Sequence, residues 1–269
     1  MALRDITLGQ FFPGNSLIHR LDPRTKILYT LFFIVALFMA GRLPCYLVMM
    51  VVLGVGIAIT RIPFSVFRRG LKPIVLIVVL TAVLNLFFTA GGDILVQFGF
   101  LKITVDGAWR ALFMMLRIIM LLFATLLLTY TTSPLLLTDG MERLMRPLKH
   151  VHVPVHDIAM MMSIALRFIP TLISETDKII SAQKARGADF ETGSLLQRAK
   201  ALIPILVPLF ISAFRRAEEL AVAMECRCYH GDEGRTRLRQ LKYRGIDVCF
   251  LLLGPLLCVV MLVMRHFGL

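Results

Sequence analysis

Five stretches of this chain are too long and too apolar to be left in water: residues 27–41, 43–60, 73–90, 111–132 and 246–264. A helix needs about 20 mostly apolar residues to cross a bilayer and tolerates somewhat fewer. In lipid, a helix is the one structure that satisfies its backbone hydrogen bonds within a single segment. The expected fold class is therefore an all-α integral membrane protein with about five transmembrane helices. The first stretch is short, and gains length if its helix starts near Pro23, a good first-turn residue. Hydrophobic residues make up 58% of the 269, against about 45–50% in soluble domains, and the excess lies in these runs. Residues 1–26 are polar and basic and lack the short apolar core and cleavage site of a secretory signal, so the first run is expected to stay as an anchor.

The net charge of +13 would suggest nucleic acid in a soluble protein. Here the charge is sorted by segment. Arg4, Arg20, Arg24 and Lys26 precede the first run, and Arg61, Arg68, Arg69 and Lys72 lie between the second and third. Seventeen more lie between the fourth and fifth, so these three segments hold 25 of the 30 Lys and Arg residues. The intervening segments are poor in both. Positive charge marks the cytosolic side, so the N-terminus is expected in the cytosol, with residues 133–244 a cytosolic or interfacial module. The expected organisation is a four-span membrane domain (1–132), a coupling-helix module (133–244) and a C-terminal transmembrane helix (245–269). No nucleic-acid partner is expected. Residues 91–107 read as a short external loop, punctuated by Gly91, Gly92 and Gly107, with Phe98, Phe100 and Trp109 suited to the interface.

Two further runs, 158–173 and 201–214, are shorter and continue into charged helical sequence. Arg167 and Pro170 interrupt the first, and Pro204 and Pro208 the second. They read as parts of two long, bent, amphipathic helices over residues 155–186 and 195–229, with the prolines supplying the bends. The competing reading makes both runs extra spans.

No enzyme motif is present. There is no GxxxxGK[ST] loop to bind ATP phosphates, no GxSxG and no HExxH. No catalytic residue, metal site or cofactor is expected. Arg117 is the one clear charge inside a run; such residues are costly and often functional, and the plainer reading pairs it within the bundle. His150, His152 and His156, with Cys226, Cys228 and His230, offer zinc-type ligands. The histidines also read as a polar, proline-broken connector, and Cys226 and Cys228 point to nearly opposite sides if both are helical. The five cysteines (45, 226, 228, 249 and 258) form no secreted-type disulfide pattern, which fits a reducing cytosolic face.

The two long helices end alike. The first closes on Ala185, Arg186 and Gly187, the second on Cys226, Arg227 and Cys228. A cation is favoured at a helix C-terminus by the macrodipole, small neighbours allow close approach, and a guanidinium forks onto a carboxylate. The arrangement suits a docking point, and ordinary surface arginines beside a cap would look the same.

Four motifs in order carry a resemblance. They are Gly14, Asn15 and Ser16 with His19-Arg-Leu-Asp-Pro-Arg-Thr-Lys26; Leu166-Arg-Phe-Ile-Pro-Thr-Leu172; Ala182-Gln-Lys-Ala-Arg-Gly-Ala188; and Met224-Glu-Cys-Arg-Cys-Tyr229. Together they resemble the transmembrane coupling (T) component of energy-coupling factor transporters, the EcfT/CbiQ-like family of ATP-driven importers for vitamins and transition metals. The resemblance covers nearly the whole chain. It implies a non-catalytic scaffold in the cell membrane, with two ABC-type ATPase subunits and a small substrate-binding S component as partners. Arg186 and Arg227, with flanks Ala185, Gly187, Cys226 and Cys228, would engage the two ATPases. Arg167, Phe168 and Pro170, with Met161 and Met162 on a soft surface suited to re-packing, would form the platform for the S component; the same methionines also read as core. The family's second motif usually has Ala-Arg-Gly, and the cysteines here are a departure. The alternatives are a dedicated cobalt or nickel importer with its own ATPase, and a membrane metalloenzyme using the His and Cys residues.

Overall fold

The computed structural model describes residues 11–89, 94–98, 101–190, 194–231 and 241–267. One compact unit is built from the described residues of Gly9–Leu144 and Leu241–Leu269, the other from those of Met145–Gln240.

The first unit is a helical bundle. Its elements are a short α1 (Leu17–Arg20), α2 (Pro23–Met39), α3 (Leu43–Thr60), α4 (Phe64–Leu71), α5 (Val75–Phe88), an antiparallel hairpin of β1 (Ile94–Phe98) and β2 (Leu101–Thr104), α6 (Val105–Thr131), α7 (Pro134–Met145) and the returning α11 (Gly245–His266). The described residues are all-α apart from that hairpin. Helix α2 starts at Pro23, as the first-turn argument anticipates: the Asp22 carboxylate accepts a hydrogen bond from the Arg24 N–H (2.9 Å) and caps it. The third expected run, 73–90, holds the single helix α5, which begins just past a break from α4. Helices α4 and α5 meet at a 61° bend, where Pro73 supplies no N–H to continue the ladder. Residues 91–107 are not simply a loop, since they hold the hairpin and the first turn of α6. Gly91, Gly92 and Phe100 lie outside the described residues, as does the side chain of Phe98. Trp109, 45% exposed, stacks at a tilt on Phe113.

The core lies between α2, α3, α6 and α11. Phe33, Ala36 and Leu37 meet Tyr46, Met49 and Leu53, Met120 and Ala124, and Leu257 and Met261. Such packing in lipid depends on small residues that let backbones approach. Gly254 is the clearest: a Cβ there would lie 2.9 Å from the Phe32 ring. A second cluster joins Phe67 to Tyr130 and Phe123 through edge-on ring contacts at 5.4 and 5.8 Å.

The second unit holds a 3₁₀ segment (Arg146–Val151), α8 (Val155–Ala185), α9 (Leu195–Ala201) and α10 (Ile203–Glu225). Helix α8 is continuous for 31 residues with Pro170 inside it. The second long helix divides into α9, capped by a Ser194/Gln197 box, and α10 with Pro208 inside. Among the described residues, five helices are long and apolar enough to cross a membrane: Leu43–Thr60, Val105–Thr131, Val155–Ala185, Leu196–Glu225 and Gly245–His266. The chain is a multi-pass membrane protein.

Candidate functional site

Both long helices of the second unit end in the same cap. Arg186 is the C-cap residue of α8, and Gly187 follows with φ +86°. The Gly187 N–H donates to Lys184 O (3.0 Å) and the Ala188 N–H to Gln183 O (3.0 Å). These are the paired bonds of a Schellman motif. At the end of α10 the Cys228 N–H donates to Glu225 O (2.8 Å) and the Tyr229 N–H to Met224 O (3.0 Å), with Cys228 at φ +55°. Arg227 therefore stands where Arg186 stands, one residue before a left-handed turn. Ala185, Arg186, Gly187, Cys226, Arg227 and Cys228 are all exposed. Cys226 and Cys228 are not two helical positions but part of this turn. Each is a free thiol.

The twin caps differ in cost. The left-handed conformation costs a non-glycine residue about 1–2 kcal/mol, and Cys228 adopts it without that freedom. Cys228→Gly is expected to tighten its cap and Gly187→Ala to loosen the other, each by about 1 kcal/mol. Amide exchange at Tyr229 and Ala188 reads the two changes, with slower exchange at the first and faster at the second. Equal exchange in both variants would contradict the shared cap.

On α8, Met161 and Met162 are 58% and 46% exposed, so they are surface rather than core. Arg167 and Pro170 are also exposed and Phe168 is half-buried. The exposed apolar side chains of α10 include Leu206, Val207, Phe210, Ile211 and Phe214.

The N-terminal motif acts inside the first unit. Asp22 holds Arg24 through both carboxylate oxygens (3.0 and 3.0 Å). Burial pushes the Asp22 carboxyl up, but the hydrogen bonds and charge of Arg24 outweigh it and hold it below the ordinary carboxylate value. Arg24 also donates to Leu241 O (3.2 Å) and lies over the Tyr243 ring at 4.0 Å. Lys26, buried, donates to His19 O (3.3 Å), Thr131 O (2.8 Å) and Thr132 Oγ1 (3.2 Å). His19 accepts from Ser16 Oγ at Nδ1 (2.7 Å) and donates from Nε2 to Phe12 O (3.1 Å). Burial lowers its pKa, in keeping with this neutral tautomer.

Sequence reasoning missed Asp247. It is 1% exposed and accepts from the Asp22 N–H (2.7 Å) and the Arg244 N–H (2.7 Å), joining the start of α2 to the start of α11. The available signal was a carboxylate one residue inside an apolar run. Arg117 follows the plainer reading, donating to Ala40 O (3.0 Å) at the C-terminus of α2 and to the Tyr46 hydroxyl (2.8 Å). Among the described residues, no three His, Cys, Asp or Glu side chains gather as a metal-binding group. His230 turns to its own cap, Nδ1 donating to Cys228 O (2.8 Å).

The family model described as "CbiQ: Cobalt transport protein" matches residues 14–238, which takes in all four sequence motifs. The chain belongs to the CbiQ/EcfT family. Among its relatives is the "Energy-coupling factor transporter transmembrane protein EcfT" of Thermosediminibacter oceani, 53% identical over 96% of this chain and 97% of that one. The protein of the same name from Ruminiclostridium cellulolyticum is 52% identical over 91% and 92%, and that from Bacillus subtilis 51% identical over 89% and 91%.

Proposed function

We propose that this chain is the membrane-embedded coupling subunit of an energy-coupling factor importer. Residues 133–244 act as its coupling module, between a membrane domain (1–132) and a C-terminal transmembrane helix (245–269). It sits in the plasma membrane with its N-terminus in the cytosol. Two ABC-type ATPase subunits bind and hydrolyse ATP and dock on Arg186 and Arg227. The chain itself catalyses nothing and carries no cofactor. A small substrate-binding S component rests against the exposed surface of α8 that includes Met161, Met162, Arg167 and Pro170. The cargo is a vitamin or a metal ion, selected by that partner.

One observation carries this reading: two long helices end in the same cap, each holding an arginine outward with small neighbours. Two matched guanidinium forks suit two similar partners that each offer a carboxylate. The name shared by the relatives supports it. The words "Cobalt transport protein" in the family's description favour a second reading, a dedicated cobalt or nickel importer with one ATPase type.

Affinity purification from native membranes in mild detergent, with ATP present, tests both. Two ABC-type ATPase chains and one or more small hydrophobic proteins are expected. One ATPase type with a metal-binding membrane protein selects the second reading. Recovery of the chain with no ATPase overturns both.

A further inference from the structure

We infer that Glu175 and Arg216 form a positioning clasp that fixes the two arginine-bearing helix ends relative to each other. This rests on the coupling reading above. Helices α8 and α10 run antiparallel. Near the end of α8 the Gln183 side chain donates to Pro204 O (3.4 Å), near the start of α10. Further back on α8, Glu175 meets residues further along α10. One of its carboxylate oxygens accepts from the Ser212 hydroxyl and the other from Arg216 Nη2 (3.0 Å). With both oxygens engaged, the carboxylate is held in orientation as well as position.

The place of the clasp sets it apart from an ordinary surface pair, which contributes little. Glu175 lies two residues past the apolar stretch of α8, after Ser174, and Arg215 and Arg216 follow directly on that of α10. Each helix changes from apolar to charged at the point where it holds the other. Glu175 also lies eleven positions before Arg186, and Arg216 eleven before Arg227. Eleven residues make about three helical turns and about 16 Å of rise, so each arginine stands about three turns beyond its clasp residue. The two arginines therefore stand at equal distances from the clasp, on arms that run in opposite directions. A displacement imposed on one end passes to the other only if the helices neither slide nor roll at their contact. A bond made by both carboxylate oxygens resists both movements.

The test uses the complex purified with its ATPases. Spin labels are carried on ketone-bearing residues introduced at Ser181 and Ala223, so the native cysteines stay in place, and pulsed EPR reads the distance between them. In the unaltered complex a non-hydrolysable ATP analogue is expected to shift one narrow distance population. In Glu175→Ala the ATPases still co-purify, the population broadens and the nucleotide-dependent shift is lost. The charge-swapped pair Glu175→Arg with Arg216→Glu is expected to restore both, which a merely structural role for either side chain would not predict. If Glu175→Ala does not assemble, Ser212→Ala and Glu175→Gln, each removing one half of the clasp, are expected to give partial broadening. A shift in Glu175→Ala or in the two milder variants equal to that of the unaltered complex overturns the clasp and leaves the coupling reading standing. Failure of the swap to restore the shift also overturns it. If the unaltered complex does not respond to nucleotide, or the arginine reversals leave ATPase docking intact, the coupling reading falls and the clasp with it.

Discussion

The double variant Arg186→Glu, Arg227→Glu is expected to release the ATPases from the purified complex, while each single reversal weakens them and leaves some bound. Breaking a desolvated guanidinium–carboxylate contact costs about 2–5 kcal/mol, or about 30-fold or more in affinity. The two ends sit on separate helix tips without shared partners, so their effects should add. The fraction of ATPase co-eluting across a titration of competing unlabelled complex measures it. Arg→Lys at either position keeps the charge but loses the planar fork, and should fall between the unaltered chain and the reversal. ATPase retention equal to that of the unaltered chain in the double reversal would remove both residues from the coupling role. Because both side chains are exposed and neither belongs to a packed core, loss of docking cannot be attributed to a collapsed fold.

Asp247→Ala is expected to be the most damaging single change to the membrane unit. It leaves the Asp22 and Arg244 N–H groups without their acceptor in a place where Asp247 itself is fully buried. A buried donor left unpaired costs about 1–3 kcal/mol, and the Asp22 N–H is such a donor while the Arg244 N–H is only part-buried, so a loss of about 2 kcal/mol is expected. It also removes a negative charge from a neighbourhood that holds the buried Lys26 and the Asp22–Arg24 pair. Asp247→Asn keeps one carbonyl oxygen and should lose roughly half as much. The melting midpoint of detergent-purified protein reads the series, with Ala lowest, Asn between and the unaltered chain highest. An Ala variant that melts with the unaltered chain would show that the junction of α2 and α11 does not depend on this carboxylate.

The spans beginning at Leu43 and Ile246 were legible because hydropathy reports the solvent a segment needs, and α3 and α11 follow those limits within one or two residues at most ends. Charges at the margins were harder to read. Lys26 looked like a polar flank and is instead a buried residue of α2, because His19 O nearby and two oxygens of Thr131 and Thr132, more than a hundred residues on, converge on its ammonium. Asp247 looked like the edge of a span for the same reason. At the coupling ends, Gly187 announced its left-handed cap, since glycine is the residue that adopts it freely. Cys228 gave no such sign: the sequence pairs the two arginine-bearing ends, and the hydrogen bonds add that both close in the same left-handed cap. The pairing of Glu175 with Ser212 and Arg216 joins separate helices, and no periodicity within one helix encodes which residue of another it will meet. The hairpin of residues 94–104 was hidden by its glycine flanks, which read equally well as loop.

The lock between Asp22 and Asp247 has a consequence for how the protein is made. Its two halves are separated by nearly the whole chain, and α11 reaches the membrane only after the unit of Met145–Gln240 has been synthesised. Domains generally assemble in the order in which they leave the ribosome, yet here the earliest helices wait for a late one. Until it arrives, α2 carries an uncovered face at Phe32 and an N–H at Asp22 with no acceptor. The nascent bundle is therefore an open form, and arrival of α11 is the step that covers Phe32 and gives the Asp22 N–H its acceptor.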